Sequence, residues 1–410
     1  MSTIQILFKA FLSVVFCGTI IFLTLFMNQR HSLPYLFLLG NTTANKSKQK
    51  PWYFKNGAAF PHPSNETPRL FPEQMEGDRI TEQLMYLPEN YSDANTSRKV
   101  ILAVEGLQAW HQNAGSVAFQ GCPASRCMLT ENEDEKTFKK ADAVLFQHTS
   151  YPSAAYRPPE QVWILYLLEC PYYTFIYEHG NVFNWTATYR WDSDLVTPYE
   201  KWVYYDPKVT QKRQERNYAA NKTKKVAWFV SNCFARNNRL KYAQELQNYI
   251  SLDIYGACGT LTCSRQDPRC FQLLDRDYKF YLAFENSNCG GYITEKFYVN
   301  GLQYNVIPIV MGARREDYRK SAPLGSYIHV DDFSSPQKLA EYLHVLDKND
   351  ELYNTYFRWK GTGEFINTYF WCRLCGMLHA PLQHKHYEDV NGWWHREGIC
   401  TGNLLRNNTR

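Results

Sequence analysis

The segment from Phe280 to Gly312 constrains this chain most. It opens with an aromatic and apolar run, Phe280 to Phe284, that reads as a strand. It then turns through Asn286, Ser287, Asn288, Gly290 and Gly291, residue types that form loops. Thr294 is placed to cap a helix that runs from Glu295 to Leu302. A second apolar strand, Val306 to Val310, follows at once and closes at Gly312. The unit is strand–loop–helix–strand, with polar residues at the loop mouth and a helix N-terminus pointing into it. Free amides, the positive end of the helix dipole and the charge of Lys296 all favour a bound anion such as a phosphate. Such units occur in many α/β proteins, so the pattern by itself fixes a fold class and not an activity.

The string itself says more. F-E-N-S at 284–287, a short gap, then Y-I-T-E-K at 292–296 resembles the nucleotide-sugar signature of the α1,3-fucosyltransferases, glycosyltransferase family 10. Many animal members carry Asp before the Tyr, where this chain has Gly291, as bacterial relatives do.

The chain has 410 residues, enough for two packed domains plus extra segments. Its net charge of +5 and the absence of a long basic tract argue against a nucleic-acid partner. Aromatic residues make up 16%, which suits stacking on sugar rings, although a tyrosine-rich core accounts for most of them. There are 12 cysteines, some closely spaced: Cys122 with Cys127, Cys258 with Cys263, Cys372 with Cys375. Asn41, Asn45, Asn65, Asn90, Asn95, Asn184, Asn221 and Asn407 each begin an N-glycosylation sequon. Together these imply an oxidising lumen with disulfides. Cys17 lies in an apolar N-terminal run, which leaves an odd number outside it, so at least one is unpaired or bridges to another chain.

Ala10 to Met27 is uncharged, apolar and free of proline, close to the ~20 residues that span a bilayer. It exceeds a usual signal-peptide core of ~7–15 residues and lacks a small-x-small cleavage site, so it reads as a signal-anchor. The sequons downstream then place the body in the lumen, a single-pass type II arrangement. Residues 28–97 are rich in Asn, Pro, Ser, Lys and Glu without a sustained period, and read as an irregular stem.

Order begins at Lys99–Gly106 with a buried-type strand, followed by strands at Ala143–Phe146 and Val162–Leu168, with helix-compatible residues from Thr130 to Lys140. Asp206 to Lys225 is polar and basic, as a linker would be. The second half runs through a strand at Val226–Val230, a helix at about Arg239–Ile250, a strand at Leu252–Tyr255, the signature unit, a strand at Tyr327–Val330 and a helix opened by Ser335-Pro336. Strands alternating with helices imply α/β domains with parallel sheets. The expected domains are a tail (1–9), an anchor (10–27), a stem (28–97), an acceptor-binding domain (98–215), a donor-binding domain (216–380) and a C-terminal extension (381–410). The resemblance implies the GT-B architecture, two Rossmann-like domains with a cleft between them.

Sugar transfer from a nucleoside diphosphate needs a base, positive charge for the leaving diphosphate and stabilisation of an oxocarbenium-like transition state. Glu169 is the base candidate, because a carboxylate at the carboxyl end of a parallel strand faces the cleft. An ordinary strand-end carboxylate has the same address. The segment Trp163–Pro171 resembles the family's L-E-S-P region, which holds the catalytic carboxylate, with Cys170 in place of Ser. Ser231-Asn232 and Arg239-Leu-Lys241-Tyr242 resemble the family's V-S-N…A-R-V-K-Y-Y pattern, which implies that Arg239 grips the diphosphate. Arg236 and Lys241 read as an exposed basic helix start. The resemblance further places Asn286, Tyr292, Glu295 and Lys296 at the donor, with Ser231 and Asn232. The segment Asn184 to Asp194 resembles the family's N-W-T-x-T-Y-R-x-D-S-D and is assigned to acceptor-domain structure and the cleft wall.

Asp192-Ser-Asp194 and Asp275-Arg-Asp277 match D-x-D, a short pattern that binds metal–diphosphate in another glycosyltransferase architecture. In this family positive side chains replace the metal, so no cofactor is expected and a divalent ion is at most stimulatory. Cys372-x-x-Cys375 with His379, His384 and His386 could be a zinc site, but an oxidising lumen favours disulfides. The resemblance implies that this pair is tied to cysteines near the start of the body, with Cys122 and Cys127 the candidates. Cys258, Cys263, Cys270 and Cys400 are candidates for local bridges, and Cys289, if free, would offer a thiol in the donor loop. The whole reading is an inverting α1,3-fucosyltransferase of the Golgi membrane that takes GDP-fucose and a GlcNAc of glycoprotein N-glycans. The C-terminal Trp393-Trp394 and Cys400 resemble invertebrate enzymes acting on the innermost core GlcNAc; an antennary acceptor and a non-catalytic glycan-binding protein are the alternatives.

Overall fold

The computed structural model describes residues 49–64, 66–147, 157–264, 267–381 and 385–402. The expected tail and anchor, Cys17, Asn41, Asn45, Asn65, His384 and Asn407 lie outside these residues. Among the described residues no helix is long and apolar enough to cross a membrane.

Two parallel sheets carry the chain. The first contains β1 (Lys99–Ala103), β2 (Cys127–Thr130), β3 (Ala143–Phe146), β4 (Val162–Leu167) and β5 (Trp185–Thr188), in the order β2-β1-β3-β4-β5. All of its pairings are parallel. β3 is buried along its whole length and β4 nearly so, as expected for strands covered on both faces. β2 was not expected. Its burial alternates, the mark of a half-covered edge, and it takes the start of the stretch read as helix, which begins only at Glu135. Asp134 caps that helix, accepting from the Thr137 amide at 2.8 Å.

After β6 (Lys201–Tyr204), the second sheet contains β7 (Lys224–Phe229), β8 (Leu252–Tyr255), β9 (Tyr278–Phe284), β11 (Ile307–Met311) and β12 (Ile328–His329), in the order β12-β11-β9-β7-β8, all parallel. β9 is central and buried throughout. Three short strands complete the set: β10 (Asn288–Cys289), β13 (Gly363–Ile366), which pairs antiparallel with β6, and β14 (Cys400–Thr401). The expected helix after Thr294 is a single α-turn, Glu295–Phe297, that widens into a π-helix over Tyr298–Gln303. Gly301 lies within it, where a Cβ would stand 2.8 Å from the Pro308 ring. The helix Pro336–Lys348 forms as expected, with Ser335 accepting from the Lys338 amide at 3.1 Å.

Three expectations about boundaries need correction. Residues 49–97 are irregular apart from the helix Ile80–Leu84, but they do not stand off the body as a stem: Trp52, Tyr53, Phe54, Leu70, Phe71, Ile80 and Leu84 are buried in the core under the first sheet. Burying one such large side chain contributes ~1.5–3 kcal/mol, which outweighs the turn-rich composition around it. Second, the donor half does not run unbroken to 380. The helix Phe370–Leu378 returns to the first sheet, where its Leu374 and Met377 join the same core. Buried Arg373 fixes it there, donating to Gln83 Oε1 at 2.8 Å and to the Val196 carbonyl at 3.0 Å. Third, the 206–225 stretch is not a free linker. Its backbone and side chains bond to the 350–361 segment, with Lys212 N donating to the Arg358 carbonyl at 2.7 Å and Tyr218 N to Asn354 Oδ1 at 2.8 Å.

Disulfides join Cys122 to Cys372 and Cys127 to Cys375, the connection that the family resemblance implied. The closely spaced Cys258 and Cys263 take different partners, Cys233 and Cys270. Cys400 is not a local bridge. It joins Cys289 across 111 residues, so Cys289 offers no free thiol. Among the described residues the unpaired cysteine is Cys170, which is buried. Cys127, Cys375 and His379 converge as a zinc ligand set would, but both sulfurs are spent in a disulfide.

Candidate active site

Glu169 stands just past the carboxyl end of β4, exposed, on the wall of a cleft of about 280 Å³. Gln147, Tyr166, Tyr173, Phe175 and Tyr177 are among its lining residues. Glu169 Oε1 accepts two hydrogen bonds: from the Cys170 amide at 2.8 Å and from the Tyr292 hydroxyl at 2.7 Å. Tyr292 belongs to the loop after β9, so this second bond joins the two sheets. Cys170 reinforces the seam, its thiol donating to Ser287 Oγ at 3.1 Å. Burial pushes that thiol up to about 11, so it is a neutral donor at ordinary pH. Arg236, read from sequence as merely exposed, lies over the rings of Tyr172 and Tyr173 at 5.0 and 5.8 Å, a cation–π contact with the first sheet's loop.

A second cavity, of about 320 Å³, opens at the carboxyl ends of β7, β8 and β9. Ser231, Glu295 and Lys296 line it, together with Tyr255, Phe271 and Asn300. The other donor candidates stand elsewhere. Arg239 is buried, its guanidinium donating to the Phe284 carbonyl at 2.7 Å and the Asn232 carbonyl at 3.1 Å. Burial lowers its pKa, with Glu285 opposing. Its Nε and the Oδ1 of Asn286 are buried polar atoms without a hydrogen-bond partner, an arrangement that suits a polar ligand at this end of the sheet. Asn232 is exposed and Tyr292 faces Glu169.

Glu285 carries no role in the sequence reading, yet it is fully buried at the end of β9. It accepts from the Thr294 amide at 2.8 Å, from Thr294 Oγ1 at 2.9 Å and from Lys296 Nζ at 3.0 Å. Burial raises its pKa, against the pull of Lys296. Burial also works against the charge on Lys296, but Glu285 and Glu295 outweigh it and hold its pKa above the usual lysine value. Its place in F-E-N-S was the available signal; nothing local showed that it would meet a residue eleven positions on. Gly291 takes a left-handed φ of +73°, and its amide donates to Asp317 Oδ2 at 2.9 Å.

The D-x-D carboxylates are occupied. Asp192 pairs with Arg190, and buried Asp194 accepts from the Thr186 amide at 2.8 Å and pairs with Lys385 at 2.7 Å. Asp275 accepts from the Asn305 amide at 3.2 Å and Asp277 pairs with Arg276 at 2.6 Å. The 184–194 segment is therefore a structural anchor. Arg190 also donates to the Trp393 carbonyl and Tyr387 to Asp194, which seats the C-terminal extension on the first sheet. Asn184 donates through Nδ2 to the Lys385 carbonyl at 2.8 Å, so folding occupies the atom that a glycan would need. Asn90, Asn95 and Asn221 are exposed.

Two family profiles match: "Fucosyltransferase, N-terminal" over residues 96–200 and "Glycosyltransferase family 10 (fucosyltransferase) C-term" over residues 219–393. Together they cover more than half of the chain, which belongs to the family 10 fucosyltransferases. Among curated relatives, the chain is 54% identical over 380 residues to glycoprotein 3-alpha-L-fucosyltransferase A of Drosophila melanogaster, covering 88% of this chain and 75% of that protein. It is 35% identical over 300 residues to alpha-(1,3)-fucosyltransferase C of the same organism, covering 67% of this chain and 70% of that one. A solved α1,3-fucosyltransferase with GDP-fucose aligns with a TM-score of 0.49 at 17% identity, over 76% of this chain and 98% of that one.

Proposed function

We propose that the protein transfers L-fucose from GDP-fucose, with inversion, in α1,3 linkage to a GlcNAc of glycoprotein N-glycans. The observation that carries this is the seam itself: a strand-end carboxylate, Glu169, faces the signature loop whose helix start presents Lys296, in a family of fucosyltransferases. In this reading Glu169 takes the proton of the acceptor 3-hydroxyl. That oxygen attacks the anomeric carbon while the bond to the β-phosphate oxygen breaks, and GDP leaves with the electron pair. Lys296 and Arg239 offset the charge that develops on GDP, and Glu295 meets sugar or ribose hydroxyls. The two sheets then correspond to the two domains of the GT-B architecture.

The innermost core GlcNAc is the acceptor we favour, in line with the similarity to a glycoprotein fucosyltransferase. We also place the protein in the Golgi membrane as a type II enzyme, on the apolar run 10–27 and the downstream sequons. The test incubates the full-length chain with GDP-fucose and either a core N-glycopeptide or an N-acetyllactosamine, reading products by mass. Fucose gained on the core peptide, lost in Glu169→Gln, supports both acceptor and base. Gain on lactosamine alone overturns the acceptor, and GDP binding without transfer to either favours a glycan-binding protein. Because positive side chains do the work assigned elsewhere to a metal, transfer should persist in EDTA; complete loss would overturn that assignment.

A further inference from the structure

We propose that Tyr292 is the positioning residue that orients the base Glu169 toward the acceptor hydroxyl, so that the donor loop itself sets the acceptor side of the site. The inference rests on the base role given to Glu169 above. The family resemblance puts Tyr292 at the nucleotide. In the structure its hydroxyl donates to Glu169 Oε1 at 2.7 Å, across the seam between the sheets.

Everything around Tyr292 holds it to that contact. Its ring is buried, 2% exposed, and lies 5.2 Å from the ring of Tyr189, which packs in turn on Trp394 of the C-terminal extension at 5.6 Å. The loop that carries it is fastened twice. Gly291 N donates to Asp317 Oδ2, and β10 pairs antiparallel with β14 through the Cys289–Cys400 disulfide. With its backbone and ring both fixed, the hydroxyl has little freedom to leave the carboxylate.

The consequence for Glu169 is geometric. The carboxylate is exposed, and an exposed Glu samples many rotamers. Two donors on Oε1, the Cys170 amide and the Tyr292 hydroxyl, select one of them and leave Oε2 for the acceptor. The titratable groups that bear on Glu169 are Cys170 beside it, Tyr189 and Tyr199 from the first sheet's side, and Tyr292 from the donor loop. Tyr292 is held far above the usual tyrosine range, by burial first and then by Glu285 and Glu169, so it stays a donor and keeps its own proton throughout.

The experiment compares Tyr292→Phe, Glu169→Gln and the double variant in the full-length chain, with GDP-fucose and whichever acceptor the wild type uses. Phe keeps the ring against Tyr189 and removes one oxygen. Expected for Tyr292→Phe is a kcat lower by about tenfold to hundredfold, short of the ~10²–10⁴-fold that losing the base itself costs. KM for GDP-fucose should hold within about twofold, so that the loss falls on kcat. Added to Glu169→Gln, Tyr292→Phe should cost nothing further. Tyr292→Gln, whose amide keeps a donor, should recover part of kcat at an unchanged KM for GDP-fucose, and serves as the test if the Phe variant does not fold. The proposal is overturned if Tyr292→Phe raises KM for GDP-fucose while kcat stays put, since Tyr292 is then a donor contact alone. An additive loss in the double variant, or a Tyr292→Gln with raised KM for GDP-fucose and unchanged kcat, overturns it as well. A fully active Glu169→Gln would instead sink the base assignment, a result separable from any outcome at Tyr292.

Discussion

Two glutamates occupy the same address on the two sheets and do opposite things there. Glu169 follows β4 and Glu285 follows β9, each one residue or two past an interior parallel strand. Glu169 is exposed in a cleft and holds one side chain, Tyr292. Glu285 is fully buried and satisfied by Thr294 and Lys296. The difference lies in what covers the strand end. The loop after β4 turns away and leaves its carboxylate to the cleft; the loop after β9 folds back so that the Thr294 cap and the Lys296 ammonium close over it. A buried carboxylate keeps its charge only with partners, and a reactive one must keep an oxygen unpaired. The strand-end position is thus no mark of catalysis until the cover is known.

The sharpest way to break the contrast is Glu169→Gln. It should lower kcat by ~10²–10⁴-fold while thermal melting and GDP binding stay as in wild type. An early melt would put Glu169 in the same structural class as Glu285. Glu285→Ala should show the reverse pattern: about 3–5 kcal/mol lost in denaturant unfolding, because Lys296 is left half-buried without its main partner. It should also expose a pH effect. In wild type the raised lysine pKa means that the charge stabilises the fold below the unfolded value and is lost only as pH rises through the higher folded one. Without Glu285 the burial penalty dominates and that pKa falls, so calorimetric GDP affinity should decline toward alkaline pH earlier than in wild type. Unchanged stability and an unchanged pH profile would show that Glu285 does not hold Lys296. The smallest effect is expected from Cys400→Ser, which frees the donor loop from the C-terminal strand. Removing a native disulfide costs about 2–5 kcal/mol, and here the lower part of that range is expected because β10–β14 pairing and Asp317 remain. kcat should fall more than KM for GDP-fucose rises, because the bridge fastens the loop that presents Tyr292 to Glu169; the opposite split would mean that the bridge serves the donor rather than the base.

Much of the fold was legible because its determinants are local. β3, β4, β7, β8, β9 and β11 sit within one or two residues of where apolar runs bounded by polar residues put them. The Thr294 and Ser335 caps formed for the same reason, since a cap involves neighbours in sequence. β2 escaped because a half-buried edge strand of four residues has too little periodicity to separate from the charged helix after it. The 49–97 segment escaped because its few aromatics, spaced among prolines and polar residues, show no period at all; they are buried by a surface built from β1, β5 and the returning helix Phe370–Leu378.

At the site, the sequence by itself determined the chemistry available: a strand-end glutamate, a helix start with a lysine, and a signature dense enough to name a family. Only the tertiary structure decided which groups meet. It set the Tyr292 hydroxyl on Glu169, placed the Arg239 guanidinium against the Phe284 and Asn232 carbonyls, and gave Cys289 a partner at Cys400. The Tyr292–Glu169 and Cys289–Cys400 contacts link residues 123 and 111 positions apart, whereas the buried cap of Glu285 comes from Thr294, nine positions on. The physical reason is the same throughout. Backbone preference and capping act over a few residues and leave a pattern in the sequence, whereas burial, ion pairing and disulfide formation depend on distances in space that only the packed chain defines.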